Sequence, residues 1–306
     1  MSATARCGSA ESPCLVVCGA GGQLGQALSA VGPPRGWAVS LFDRSQLDIT
    51  DHAAVVEALK NIGSGLVVNL AAYTNVDLAE TEAEIAFAIN ALGAGVIAAA
   101  AASQKLPIIH LSTDYVFAGD AIAPYDEEAE TFPISVYGAS KLAGEKAVRR
   151  ANPQHLILRT SWLFSSWGKN FWRSIIHQAQ IRDELKVVDD QVGCPTSADD
   201  LAEIIMALAP RLLAAQAGGA EFGTFHICGD EPTNWFEFAK AILMQIPKER
   251  RPKLSPISSS ILARPAQRPG YSVLDCSKFA RQFGIHPPSW RQAMQKLKIS
   301  LSLLWS

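Results

Sequence analysis

Two side chains four residues apart, the Tyr137 phenol and the Lys141 ammonium, form a grouping in this 306-residue chain that could move a proton. On a helix they rise from one face, one turn apart. A free tyrosine has a pKa of about 10, a poor match to proton transfer near neutrality. A lysine cation at ~4 Å, at an effective dielectric of ~20, favours the phenolate by about 4 kcal/mol, or roughly three pK units. The spacing therefore predicts a phenol that gives up and takes back a proton near pH 7. Thr113, just beyond the apolar run 107–111, supplies a hydroxyl for the same oxygen. A tyrosine and a lysine at this spacing are ordinarily two exposed helix residues, so the pattern gains meaning only from the elements around it.

Those elements begin with Leu15–Cys18, a short apolar run read as a buried parallel strand. It runs into Gly19-Ala20-Gly21-Gly22-Gln23-Leu24-Gly25 and then a helical pattern. Glycines there let a backbone approach a pyrophosphate, and the helix N-terminus offers free N–H groups. Strand before and helix after is the context a dinucleotide-binding turn requires. Gly19, Gly22, Gln23, Leu24 and Gly25 are the candidate contacts. Ala38–Phe42 is the second strand and ends in Asp43-Arg44, 24 residues after Gly19. An acid here holds ribose hydroxyls and favours NAD; an arginine favours the extra phosphate of NADP. With both present, the expected cofactor is NADPH with NADH accepted. Asp48 and Ile49 follow, with Asp48 either near the adenine or capping the next helix.

Leu66–Leu70 is the third strand, and Ala71-Ala72-Tyr73-Thr74 lies at its carboxyl end, where ligands of open α/β sheets bind. Ala72, Tyr73 and Thr74 join the cofactor set. An Ala-rich helix spans 85–102, with Asn90 expected to be a packed polar residue. Strands at 107–111 and 155–159 complete the alternation, which argues a parallel, doubly wound α/β sheet. The acids of the loop 118–133 are expected in solvent. Six scattered cysteines show no zinc or redox spacing and read as reduced thiols. Net charge is −2 with no basic stripe, against nucleic acid as a partner. No apolar run reaching ~20 residues was seen, so no membrane span is expected. Residues 1–13 read as a flexible tail.

Beyond residue 162 the texture changes to a second lobe. Leu185–Asp189 and Thr224–Cys228 read as strands, 198–215, 234–246 and 289–304 as helices. The expected organisation is a dinucleotide-binding domain over 14–162 and a mainly substrate-binding lobe over 163–306, the chain returning to the first sheet around 183–215. Arg264-Pro265-Ala266-Gln267-Arg268-Pro269 is a rigid basic loop whose arginines are either surface charges or, in an enzyme of nucleotide-linked substrates, diphosphate contacts with Arg268 the candidate, because a guanidinium fork fits phosphate oxygens.

Several motifs together carry a resemblance. They are Gly19–Gly25, Asn69–Thr74, Ser112–Phe117, Val136-Tyr137-Gly138 with Lys141–Glu145, and Arg159–Trp162. Asp190-Gln191 with Gly193, Pro195-Thr196 and Arg268-Pro269 with Ser272 extend it over nearly the whole chain after residue 13. The combination resembles the extended short-chain dehydrogenase/reductases, and among them the dTDP-4-dehydrorhamnose reductases. The resemblance implies an α/β fold with a Rossmann-type doubly wound parallel sheet and a smaller α/β C-terminal substrate-binding lobe. It implies reduction of a 4-keto group on a dTDP-sugar by NADPH or NADH, in the cytoplasm, by a monomer or homodimer. Tyr137, Lys141 and Thr113 would be catalytic, and Thr113, Asp114 and Trp162 would hold the sugar nucleotide. Tyr115 stands where the 4,6-dehydratases carry a glutamate, so water loss is disfavoured. No acidic cluster supports a metal. Two other readings stay open: another sugar-nucleotide ketoreductase or epimerase, and a non-catalytic NADP-binding regulatory subunit like those attached to methionine adenosyltransferase.

Overall fold

The computed structural model describes residues 12–297 except 216 and 218. The expected tail lies almost wholly outside these residues, as does the end of the expected C-terminal helix. The strands are β1 Cys14–Cys18, β2 Ala38–Phe42, β3 Gly65–Asn69, β4 Ile108–Thr113, β5 His155–Thr160, β6 Leu163–Phe164, β7 Glu184–Val188, β8 Val192–Gly193, β9 Thr196–Ser197, β10 Gly223–His226, β11 Thr233–Asn234 and β12 Lys253–Ile257. The helices are α1 Gln23–Val31, α2 His52–Leu59, α3 Val76–Ala79, α4 Ala83–Phe87, α5 Ala94–Ser103, α6 Val136–Ala151, α7 Phe171–Ile181, α8 Ala198–Ala214, α9 Trp235–Leu243, α10 Ser277–Phe283 and α11 Trp290–Lys296.

Six strands form one all-parallel sheet in the order β10-β5-β4-β3-β1-β2. β1 and β3 are buried throughout, as their unbroken apolar runs require of strands covered on both faces. One face carries α1 and α8 over Leu15, Val17, Leu66 and Val68; the other carries α2 and α5 over Val16, Val67 and Ile108. The chain leaves β1 toward β2 on one side and returns to β3 on the other. That reversal opens a crevice at the carboxyl ends of β1 and β3.

Three expectations need correction. Glu184–Val188 does not join this sheet; it pairs in parallel with β12. The chain returns to the sheet through α8, which packs on α1's face, and through β10, which adds beside β5. The local pattern marks Leu185 and Val187 as strand residues but says nothing of which strand they pair with. Second, Ala83–Ser103 is long and apolar enough to cross a membrane by length and composition. Ala94, Ile97, Ala98, Ala100 and Ala101 bury against the sheet instead. Within it, Ala88–Gly93 winds as a π-helix. Third, Glu127 is not simply solvated: it accepts a hydrogen bond from the His226 amide at 2.9 Å. Tyr125 from the same loop is buried, and its backbone pairs with that of Val273.

The second lobe packs α7, α9 and α11 around Phe164, Trp172, Phe238 and Trp290. Cys18, Cys194, Cys228 and Cys276 are free and buried, whereas Cys14 is disulfide-bonded, so the expectation of reduced thiols holds for those four.

Candidate active site

β1 delivers Gly19 into a left-handed turn, φ +90°, with its amide bonded to the Phe42 carbonyl at 2.8 Å. A Cβ at this position would lie 2.5 Å from the Ala71 nitrogen, so only glycine lets the turns after β1 and β3 touch. Helix α1 follows, with Gly22 as N-cap, no capping side chain and no acid in its first turn. Its leading N–H groups are therefore left to solvent or a ligand.

These two turns form the wall of a cavity of ≈ 870 Å³. Of the cofactor candidates, Gly19, Gly22, Gln23, Leu24, Gly25, Arg44, Asp48, Ile49, Ala72, Tyr73, Thr74, Tyr137 and Lys141 all line it. Asp43 does not. Its carboxylate closes its own turn instead, accepting from the Ser45 amide at 2.8 Å, the Ser45 hydroxyl at 2.6 Å and the Gln46 amide at 3.1 Å. These bonds lower its pKa. Sequence spacing marks the end of a second strand; it cannot show that the acid there is already used by the turn.

Helix α6 carries the proton-transfer pair. Ser135 caps it, accepting from the Gly138 amide at 3.2 Å, and Glu80 accepts from the Val136 amide at 2.9 Å. A Cβ on Gly138 would lie 2.2 Å from the Tyr115 carbonyl oxygen, so glycine is what allows the first turn of α6 to reach the turn after β4. The Thr113 hydroxyl there donates to Asp114 Oδ1 at 3.0 Å, accepts from the Tyr115 amide at 3.2 Å and lies near enough to Tyr137 to influence its phenol. The Tyr115 and Tyr137 rings meet edge to face at 5.5 Å.

The electrostatics depart from expectation. Burial pushes the Tyr137 phenol up to about 12; Thr113 lowers it and the Asp114 charge raises it. Lys141 is 3% exposed, and its ammonium donates to the Leu111 carbonyl at 2.6 Å. Burial pulls it down to about 8, against the opposing charge of Glu145. The lysine gives one of its N–H donors to β4, and its charge is not among the causes that shift the phenol here. Tyr137 keeps its proton at neutral pH, the state a proton donor needs.

Several residues to which the motifs assign no role fix this arrangement. Glu145, fully buried on α6, accepts from Ser112 at 2.6 Å, from Arg159 at 2.9 and 2.8 Å, and from Arg149 at 2.9 Å. Arg159 is 2% exposed, and the ion pair holds Glu145 charged, its pKa lowered despite burial. Asn90, in the π-helical turn, accepts from the Tyr73 amide at 2.8 Å and donates to its carbonyl at 3.0 Å. The same amide group reaches Ser140 on α6 at 2.9 Å, tying the β3 turn to the Tyr137 helix. Tyr73 donates its phenol proton to Glu82 at 2.7 Å.

The substrate candidates lie outside the cavity lining. Asp114 is buried, which raises its pKa to about 6; Ser272 and Thr113 counter that, and Oδ2 has no hydrogen-bond partner. Trp162, with φ +47°, stacks on Trp235 at 3.5 Å and packs over Gly193. Arg268 forks onto Asp77 at 2.9 and 2.8 Å. It also lines a second cavity of ≈ 300 Å³ together with Arg264, Gln191 and Ser259. Among the described residues no group of three or more His, Cys, Asp or Glu could hold a metal ion.

The profile of the family described as RmlD substrate binding domain matches residues 14–301. A dTDP-4-dehydrorhamnose reductase of Sinorhizobium fredii is 43% identical over 291 residues, covering 94% of this chain and 98% of its own. One from Escherichia coli K12 is 37% identical over 254 residues, covering 82% and 84%. The crystal structure of dTDP-4-dehydrorhamnose reductase from Bacillus anthracis in complex with NADP matches with a TM-score of 0.86 at 35% identity, covering 94% of this chain and 98% of that one. A family profile that spans nearly all of the described chain, with relatives of this identity and coverage, shows that the chain belongs to the RmlD substrate binding domain family.

Proposed function

We propose that this chain is an NAD(P)H-dependent oxidoreductase that reduces the 4-keto group of dTDP-4-dehydro-β-L-rhamnose to dTDP-β-L-rhamnose. The observation that carries the reading is one continuous cavity, with the Gly19–Gly25 turn in its wall and Tyr137 and Lys141 lining it too. The lining fits a dinucleotide: side-chain-free positions at 19, 22 and 25, uncapped N–H groups on α1, and Arg44 in the wall, with Asp43 Oδ1 engaged in its own turn. An arginine in this wall suits the 2′-phosphate of NADPH, and with Asp48 sharing the wall NADH is the second choice. The relative from Bacillus anthracis was crystallised with NADP.

The bound dinucleotide supplies the hydride. The chain supplies the proton and the alignment. Tyr137 donates its phenol proton to the oxygen at C4 as negative charge builds there, a contribution of typically 10²–10⁴-fold. Lys141, held by Leu111, places its charge where a tyrosinate forms and can hydrogen-bond a ribose. Thr113 gives the reacting oxygen a second hydrogen bond when its hydroxyl turns from Asp114. The orphaned Oδ2 of Asp114 is an acceptor for a sugar hydroxyl. Arg268, with Arg264 beside it, faces the second cavity as the diphosphate contact, and Trp162 with Trp235 forms an aromatic wall for the sugar. The side chain of Tyr115 has no carboxylate to drive water loss. The same reading places the protein in the cytoplasm, as a monomer or homodimer.

The test is the fall of absorbance at 340 nm when NADPH and the dTDP-4-keto sugar are mixed with the protein. Oxidation that stops in Tyr137→Phe while NADPH binding persists supports the reading. No oxidation with either cofactor overturns it, and oxidation only with other nucleotide sugars moves the substrate.

A further inference from the structure

The 165–170 loop crosses from the second lobe to the glycine-rich turn. After β6 the chain makes a small closed turn, Ser165–Asn170, before α7 begins. Ser165 is fully buried and donates to Gln23 Oε1 at 3.1 Å. The Trp167 amide donates back to Ser165 Oγ at 3.1 Å, and Asn170 Nδ2 donates to the carbonyls of Ser165 at 2.9 Å and Trp167 at 3.0 Å. The Arg173 guanidinium holds the Ser166 carbonyl. Gly168 lies against the Gln23 side chain, and Gly168 and Lys169 line the same cavity as Gly19–Gly25.

Charge decides what this turn is for. Among the described residues the cations lining the cavity are Arg44, Lys141 and Lys169. Arg44 follows β2, at the adenosine side, and Lys141 is bound to Leu111 beside Tyr137. The acids in the wall are Asp48 and Glu82; Glu82 accepts the Tyr73 phenol, and neither is on the glycine-rich turn. A pyrophosphate on α1's N-terminus would otherwise meet only neutral amides. Lys169 is the one lining cation carried by the loop that touches Gln23.

We infer that Lys169 is a cofactor-binding residue: its ammonium closes over the pyrophosphate of the dinucleotide from the side opposite the glycine-rich turn, so that the second lobe takes part in holding the cofactor. The inference rests on the reading of this cavity as a dinucleotide site. The Ser165–Gln23 bond fixes the turn, and the lysine side chain, exposed in the free protein, supplies the moving charge. Because it recognises a group common to NADPH and NADH, Lys169 contributes to affinity and not to the choice between them.

The experiment compares the full chain with Lys169→Gln and Lys169→Arg, all checked for equal melting temperature. NADPH, NADH and adenosine 2′-monophosphate are titrated while tryptophan fluorescence is followed, and KM for the sugar nucleotide is measured at saturating NADPH. Lys169→Gln should raise Kd for NADPH and NADH alike by roughly five- to tenfold, the scale of one charge-assisted contact at a solvent-facing wall. Adenosine 2′-monophosphate, which has no pyrophosphate, should bind as before, and Lys169→Arg should stay within about twofold of the parent. The parent should also lose affinity with salt more steeply than Lys169→Gln. Unchanged Kd values for both dinucleotides overturn the inference. So does weakening confined to NADPH, which would place the lysine on the 2′-phosphate. A raised sugar-nucleotide KM with unchanged dinucleotide Kd would place it on the substrate and also overturns it. If the parent chain binds no dinucleotide, the cavity reading itself fails, a result separate from any effect of the lysine.

Discussion

Replacing Glu145 by alanine removes the acceptor of four hydrogen bonds, from Ser112, Arg149 and twice from Arg159. Arg159, 2% exposed, is left with a buried charge and no other ion-pair partner among the described residues. Breaking a buried pair from one side costs about 3–5 kcal/mol, much of it the penalty on the partner left behind. For a protein of this size that corresponds to a melting temperature lower by roughly 5–8 °C. Glu145→Gln keeps an acceptor for Ser112 and one guanidinium N–H, so it should fall between. The pH dependence has a definite sign. Glu145 is held below its ordinary pKa in the fold. Its contribution is fully present above the unfolded carboxyl value of about 4.3 and is lost as pH falls through the lower folded value. The gap between parent and Glu145→Ala should therefore be constant from about pH 7 to 5 and narrow below about pH 4. Denaturant unfolding at each pH measures it. A gap under about 1 kcal/mol at pH 7, the worth of a surface pair, would refute the claim that this pair is the buried brace of α6.

Tyr137→Phe should lower turnover by about 10²–10⁴-fold with NADPH affinity kept, measured by initial rates and by fluorescence titration. The pH profile of kcat/KM should be a bell: its acid limb falls as Asp114 protonates near its raised value of about 6, and its alkaline limb falls as Lys141 loses its charge above about 8. Asp114→Asn should abolish the acid limb; a limb that survives there belongs to another group. Gly138→Ala should push α6 off the Tyr115 carbonyl and cost about 1–3 kcal/mol as an overpacked contact, with a lower kcat at unchanged NADPH Kd. Arg268→Ala should raise KM for the sugar nucleotide while leaving NADPH Kd alone; a change in the dinucleotide Kd instead would remove Arg268 from the substrate side.

What could be read from the chain was what is written locally. Leu15–Cys18 and Leu66–Asn69 announce parallel strands because both faces are covered, and the glycines between strand and helix announce the crevice. Ser197 and Asn234 stand at the starts of two of the expected helices, and the structure shows their side chains capping the amides three residues on. Pairings across long separations are not written that way. Glu184–Val188 has the look of any half-buried strand, and its partner lies about 70 residues later. Arg268 looks like a free basic loop residue until Asp77, 191 residues before it, takes its fork. Lys141 has the right spacing from Tyr137, but the carbonyl it satisfies belongs to Leu111 on another element. Asp43 and Trp162 likewise sit at motif positions while their groups face local or lobe partners.

The π-helical turn at Ala88–Gly93 has a consequence for anyone who would make this protein sturdier. A wide turn of this kind amounts to one inserted residue in an otherwise regular helix. Deleting a residue to regularise it would leave the helix that follows in phase but close the wide turn from which Asn90 projects. Asn90 would then miss either the Tyr73 backbone or Ser140, and the strap between the crevice and the tyrosine helix would part. The irregular turn is what lets one side chain reach both neighbours, so a more even spiral there would be had at the expense of that strap.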